Sequence, residues 1–154
     1  MQLAQANIAR MLYPRDDPRM AGFFDQIDAI NAHADASPGF VWRLQTAEGD
    51  ATSIRVFDDD ELIFNMSVWE SVEALRDFTY RSAHALPFKN RQSWFEPSQR
   101  PMNVLWWVAV GHQPDAEEAE ERFRILWKAG PSAEGFTFRS AAQYASVLYQ
   151  GFVA

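Results

Sequence analysis

Two strand-length segments are apolar at nearly every position: "LIFNMSVW" at 62–69 and "VLWWVAV" at 104–110. Successive side chains of a β-strand point to opposite faces, so Trp106 and Trp107 must lie on opposite sides of one sheet. A sheet with one wet face alternates apolar and polar residues, and these segments do not. The chain must therefore fold around a sheet covered on both faces. Helices supply one cover. The simplest second cover is another copy of the chain packed sheet against sheet, because a monomer rarely leaves so large a patch exposed. A homodimer is the expectation.

The remaining elements follow from local signals. Leu3 to Ala9 reads as a first strand. Asp17 followed by Pro18 marks a helix start, since the aspartate caps free N–H groups and proline suits the first helical position. Met20, Phe23, Ile27, Ile30 and Ala34 then recur at helical spacing over about 18–35. Phe40 to Gln45 forms a second strand, and "IRVF" at 54–57 suggests a short extra one. Leu62 to Trp69 is the strongest strand, with Ser71 as the cap of the next helix. Met102 to Val110 is the last strand. Asp115 opens a third long helix, with Glu118 placed to complete a capping box and Gly130 to end it. The order is β-α-β-β-α-β with an appended helix: an α+β, ferredoxin-like antiparallel sheet. One domain is expected over 1–154, with a core at about 2–112, the extra helix at 115–129 and a tail at 130–154.

Composition narrows the function classes. The net charge is −7 with no basic stripe, which argues against a nucleic-acid partner. There are no cysteines, so disulfides, thiolate metal sites and a cysteine nucleophile are excluded. No apolar run reaches the length of a membrane span, and no signal-peptide pattern opens the chain, so a cytoplasmic location is expected. Six tryptophans and twelve phenylalanines suit a pocket for a flat apolar ligand as well as a core. Neither a metal-binding histidine pair nor a nucleotide-binding glycine loop is present.

The motifs "NIAR" (7–10), "DDPRM" (16–20), "ASPGFVWRLQ" (36–45), "NMSVWES" (65–71), "YRSAH" (80–84) and "WFEP" (94–97) resemble the DUF3291 family. That family is similar to the dimeric α+β-barrel superfamily, which also holds antibiotic-biosynthesis monooxygenases and haem-degrading enzymes. The resemblance covers roughly residues 2 to 139. It implies a catalytic asparagine on the first strand, a tryptophan ending the third, and a histidine on the following helix, here Asn7, Trp69 and His84. In the haem-degrading branch that histidine is the axial iron ligand, which makes His84 a candidate metal ligand.

Each candidate has a structural alternative. Asn7 could hold a substrate carbonyl or satisfy neighbouring backbone. Trp69 could line a pocket or only fill the core. His84 falls beside Glu73, Asp77 and Tyr80 on a solvated face if its helix is unbroken. If Pro87 forces a restart near Ala83, His84 instead shares a face with Phe88, Arg91 and Phe95, suited to a haem propionate or an acidic substrate. Trp42, Phe64, Phe78 and Tyr80 are the expected pocket aromatics. Two functions remain open: a small dimeric monooxygenase-like enzyme for an apolar or aromatic molecule, with haem or with no cofactor, or a non-catalytic binding protein using the same pocket.

Overall fold

In the computed structural model, residues 1–47, 49–85 and 91–145 are described. The elements are β1 (Gln2–Arg10), a 3₁₀ turn (Pro18–Met20), α1 (Ala21–Asp35), β2 (Phe40–Arg43), β3 (Leu62–Trp69), α2 (Val72–Ala85), α3 (Arg91–Trp94), β4 (Asn103–Val108), α4 (Ala116–Ala129) and α5 (Ala141–Ala145). The strands form one sheet in the order β2-β3-β1-β4, with every neighbouring pair antiparallel. This is the ferredoxin-like arrangement expected from the element order, with β1 and β3 at the centre.

Ser71 and Asp115 cap as the sequence suggests, whereas Asp17 caps the 3₁₀ turn that leads into α1, and α1 itself starts at Ala21 without a side-chain cap. Asp17 accepts the Arg19 N–H at 2.8 Å, the Ala74 N–H donates to Ser71 Oγ at 3.1 Å, and the Glu118 N–H donates to Asp115 Oδ1 at 2.8 Å. Glu118 does not close a capping box. Its carboxylate instead takes the Trp106 indole N–H at 2.9 Å and lies 2.7 Å from His112 Nε2. The turn between α1 and β2 packs closely against α2. Gly39 holds φ +81° where an added Cβ would stand 2.5 Å from the Ala74 Cβ.

The two sheet faces have different covers. Ala4, Ala6 and Ile8 of β1, Phe64, Met66 and Val68 of β3, and Val104 and Trp106 of β4 pack against Ala119, Phe123 and Leu126 of α4. The segment 54–57 lies in the same layer. It is a turn, not the short strand its apolar residues suggest: Phe57 and Asp58 hold φ 52° and 53°, and Val56 bridges only to Asp59. Phe57 is drawn under α4, where its ring lies 5.3 Å from that of Trp127 and its N–H donates to Glu120 Oε1 at 2.8 Å. The second apolar face is thus closed by the chain's own appended helix. The cover on that face is therefore α4, where the sequence pattern alone suggests a second copy.

The opposite face carries α1, α2 and α3. At one end Leu3, Trp69 and Leu105 pack with Val72, Leu75 and Phe136. At the other, Ile63 packs with Met20, Phe23, Trp94 and Phe95. Phe136 comes from the segment after α4 and pairs with Leu105 through both backbone groups, at 2.8 and 2.9 Å. Between these two apolar clusters the sheet surface is polar.

Candidate active site

The polar band arises from strand register. Asn7 lies opposite Asn65 on one side and Asn103 on the other, so three asparagines form a row across β3, β1 and β4. One step along, Gln5 faces Ser67. Asn7 Nδ2 donates to Gln5 Oε1 at 2.6 Å and to Asn65 Oδ1 at 3.1 Å, and Asn103 Nδ2 donates to Asn7 Oδ1 at 2.7 Å. Gln5 Nε2 donates to Ser67 Oγ at 2.8 Å. The Trp69 indole N–H reaches the same oxygen at 2.8 Å. With both lone pairs of Ser67 engaged, its own proton is left to donate elsewhere.

This band is the floor of a cavity of about 360 Å³ between the sheet and the helices. Its walls include Phe23, Ile27 and Ile30 of α1, Leu75, Phe78, Thr79 and Ser82 of α2, Arg91 and Trp94 of α3, and Phe95 just after it. Asn65 is solvent-exposed in the middle of a strand whose other residues are all buried, because the cavity opens above it. The combination is an apolar, aromatic-walled chamber over a carpet of amides, the usual composition of a small-molecule site. A second hollow of about 560 Å³, beside Tyr13, Arg55 and Asp59–Leu62, has a charged rim and none of the residues singled out from the sequence.

Of those residues, Asn7, Phe78 and Arg91 line the amide-floored cavity. The Arg91 guanidinium lies 5.9 Å from the centre of the Phe95 ring. Trp69 is 0% exposed, stacked on Phe78 with centroids 5.0 Å apart, and meets the cavity floor only through Ser67. Phe64 borders the cavity, but its ring belongs to the α4-side layer. Trp42 packs in that far layer as well, because a register shift between Phe40 and Trp42 turns it away from the helices. Tyr80 is 66% exposed on the outer side of α2 and does not line the cavity.

His84 lies on α2, which continues unbroken through Ala85, so the restart near Ala83 does not occur. Tyr80, four residues before His84, is exposed. The His84 side chain, Pro87 and Phe88 lie outside the described residues. His33, on α1, has its ring 5.5 Å from Phe78 and its Nε2 buried without a partner. Among the described residues no group of three or more His, Asp or Glu gathers as a metal site.

Gln5, Asn65, Ser67, Asn103 and Ser82 were not anticipated. The signal was present for three of them. In "LIFNMSVW" the two polar residues are two apart, as are Gln5 and Asn7, so each pair shares a sheet face.

The fold and the site together define a ferredoxin-like α+β protein with an amide-floored chamber between its sheet and helices. Residues 2–150 match the model of DUF3291, a domain of unknown function, and the chain belongs to that family. No curated protein matches. Solved structures that resemble it include a variant of SnoaB, a cofactor-independent oxygenase from Streptomyces nogalater. It shares 16% identity at a TM-score of 0.47, covering 74% of this chain and 98% of that one. A protein from Shewanella loihica PV-4 proposed to be a monooxygenase shares 15% at 0.39, covering 71% and 97%. One from Chloroflexus aurantiacus J-10-fl, proposed to be an antibiotic biosynthesis monooxygenase, shares 15% at 0.40, covering 73% and 98%.

Proposed function

We propose that this protein takes a flat, apolar molecule carrying a carbonyl oxygen into the chamber and promotes its reaction with O₂, a monooxygenase-like activity. The observation that carries the reading is the row Asn103–Asn7–Asn65 with Ser67 beside it, lying under aromatic walls. The donors this network leaves over, the Asn65 amide and the Ser67 hydroxyl, favour an oxygen that gains negative charge, such as that of an enolate. A ketone with an adjacent CH₂ becomes easier to deprotonate when its oxygen is held this way. The carbanion adds O₂ and regains a proton to form a hydroperoxide. Loss of water then leaves a second carbonyl. The carbon gives up four electrons and O₂ accepts four, so the balance is CH₂ + O₂ → C=O + H₂O.

Haem, the other option the resemblance implies, fits the described residues poorly. An axial ligand must be an imidazole, thiolate, thioether or phenolate; the cavity floor offers amides and a hydroxyl, and His33, packed beside Phe78, does not line the chamber. The thioether of Met66 lies in the α4-side layer. No step is therefore routed through iron. A Soret shift on adding hemin to the wild type but not to His84→Ala would overturn this.

A second reading is favoured by the charges around the chamber. The carboxylate that lines the chamber, Asp50, takes both the N–H and the hydroxyl of Thr52 at 2.8 and 2.6 Å, and Arg43 beside it is a cation that cannot accept a proton. Neither is placed as a free base. The protein would then bind the same ligand without chemistry. Oxygen uptake with anthrone, a flat ketone with an acidified CH₂, separates the two. The enzyme reading expects uptake well above the spontaneous rate, with one O₂ consumed per quinone formed, and loss of the excess in Asn65→Leu. Binding of anthrone with no excess uptake leaves the binding protein.

A further inference from the structure

We propose that Ser82 contacts the ligand directly and reads a hydroxyl on it, from the helical wall of the chamber; this rests on the cavity reading given above. Ser82 is 4% exposed, lines the chamber, and its Oγ has no hydrogen-bond partner. A helical serine or threonine commonly satisfies its hydroxyl on the carbonyl four residues earlier. Thr79, on the same wall, does so: its Oγ1 donates to the Leu75 carbonyl at 2.9 Å. Ser82 does not. A buried, unmet hydroxyl costs folding free energy that a methyl group would not, so its place in the wall calls for a partner from outside the protein.

The sheet side of the chamber holds a second unmet atom, Asn103 Oδ1. The amide nitrogen of Asn103 sits among three acceptors, Gln5 Oε1, Ala6 O and Asn7 Oδ1, at 3.0, 3.2 and 2.7 Å. That arrangement fixes the amide and leaves its oxygen unmet. An amide oxygen can only accept, so whatever meets it carries an O–H or N–H. The Ser67 proton, by contrast, is available for a ligand acceptor. A chamber with spare donors and spare acceptors suits a planar hydroxyaryl ketone better than a bare ketone or hydrocarbon. A site built to bond a hydroxyl discriminates against the analogue without it, because its buried polar groups are then left unpaired.

The test compares 6-acetyl-2-naphthol with 2-acetylnaphthalene by fluorescence titration of the wild type and Ser82→Ala, with thermal melts of both proteins. The wild type is expected to bind the naphthol about tenfold more tightly, the scale of one neutral hydrogen bond. Ser82→Ala is expected to lose that preference, keep its affinity for 2-acetylnaphthalene within about twofold, and melt no lower than the wild type. A purely structural serine would lower the melting temperature and both affinities together. Equal affinities in the wild type, or a preference that survives in Ser82→Ala, overturns the role of Ser82 while leaving the cavity reading intact. Failure of both naphthyl ketones to bind the wild type sinks the cavity reading and this inference with it.

Discussion

Replacing Phe123 by alanine tests whether α4 is the cover of the second sheet face. Phe123 is 0% exposed, packed in the layer with Trp106 and Val104, its ring 5.2 Å from that of Trp127 and 6.2 Å from that of Phe57. Removing a fully buried phenylalanine costs about 3–5 kcal/mol through lost transfer energy and the cavity left behind. Against a total of about 5–15 kcal/mol for a domain, that is a large fraction. For a chain of this size each kcal/mol moves the melting temperature by about 2–4 °C, so a drop of about 6–20 °C is expected. Urea unfolding of both proteins is the assay. A loss below about 1 kcal/mol would mean that α4 is not the cover.

Three further outcomes follow from the same contacts. Arg10 hydrogen-bonds Asp59 at 2.8 Å and holds its carboxyl below the usual carboxylate range, with help from the Glu61 N–H. A depressed folded-state pKa adds stability above the unfolded value near pH 4 and loses it as pH falls through the lower folded value. Asp59→Asn should therefore cost no more than about 1 kcal/mol at neutral pH and flatten the acid limb of a stability–pH curve; an unchanged limb contradicts the pairing. Asp115→Ala should remove the α4 cap and cost about 1 kcal/mol by urea denaturation, whereas no loss would show that the cap is redundant. Gly39→Ala should destabilise by well over the few tenths of a kcal/mol typical of surface changes, since it adds both a left-handed non-glycine residue and a clash with Ala74; a neutral melt would contradict the close approach.

Much of the fold was legible because it depends on periodicity. Leu62–Trp69 has the bounds expected of it, and the helix starts at Asp17, Ser71 and Asp115 are marked by residues whose side chains cap in the structure. The identity of the second cover was not legible. An amphipathic helix does not state which surface it will meet, and the apolar stripe of Ala119, Phe123 and Leu126 fits the Trp106 face as well as a partner would. The turn at 54–57 looks like a strand for a related reason, since Phe57 is apolar to pack under α4 and not to alternate in a sheet. The floor of the site was only partly visible. Asn7 stood out as a polar residue in a strand, but that it meets Asn65 and Asn103 depends on register, which only strand pairing sets. Helical spacing puts Ser82 on the face of Leu75, Phe78 and Thr79, but its unmet hydroxyl is a property of its surroundings.

The central claim is that the asparagine row receives a ligand oxygen. The direct measurement is a titration of ¹⁵N-labelled protein with 2-acetylnaphthalene, following the side-chain amide resonances of Asn7, Asn65, Asn103 and Gln5, assigned by single substitutions. The account predicts that the amide protons of Asn65 move downfield with saturation, and that naphthalene, which has no oxygen, does not move them. Side-chain amides that stay still while the ligand perturbs resonances elsewhere would contradict it.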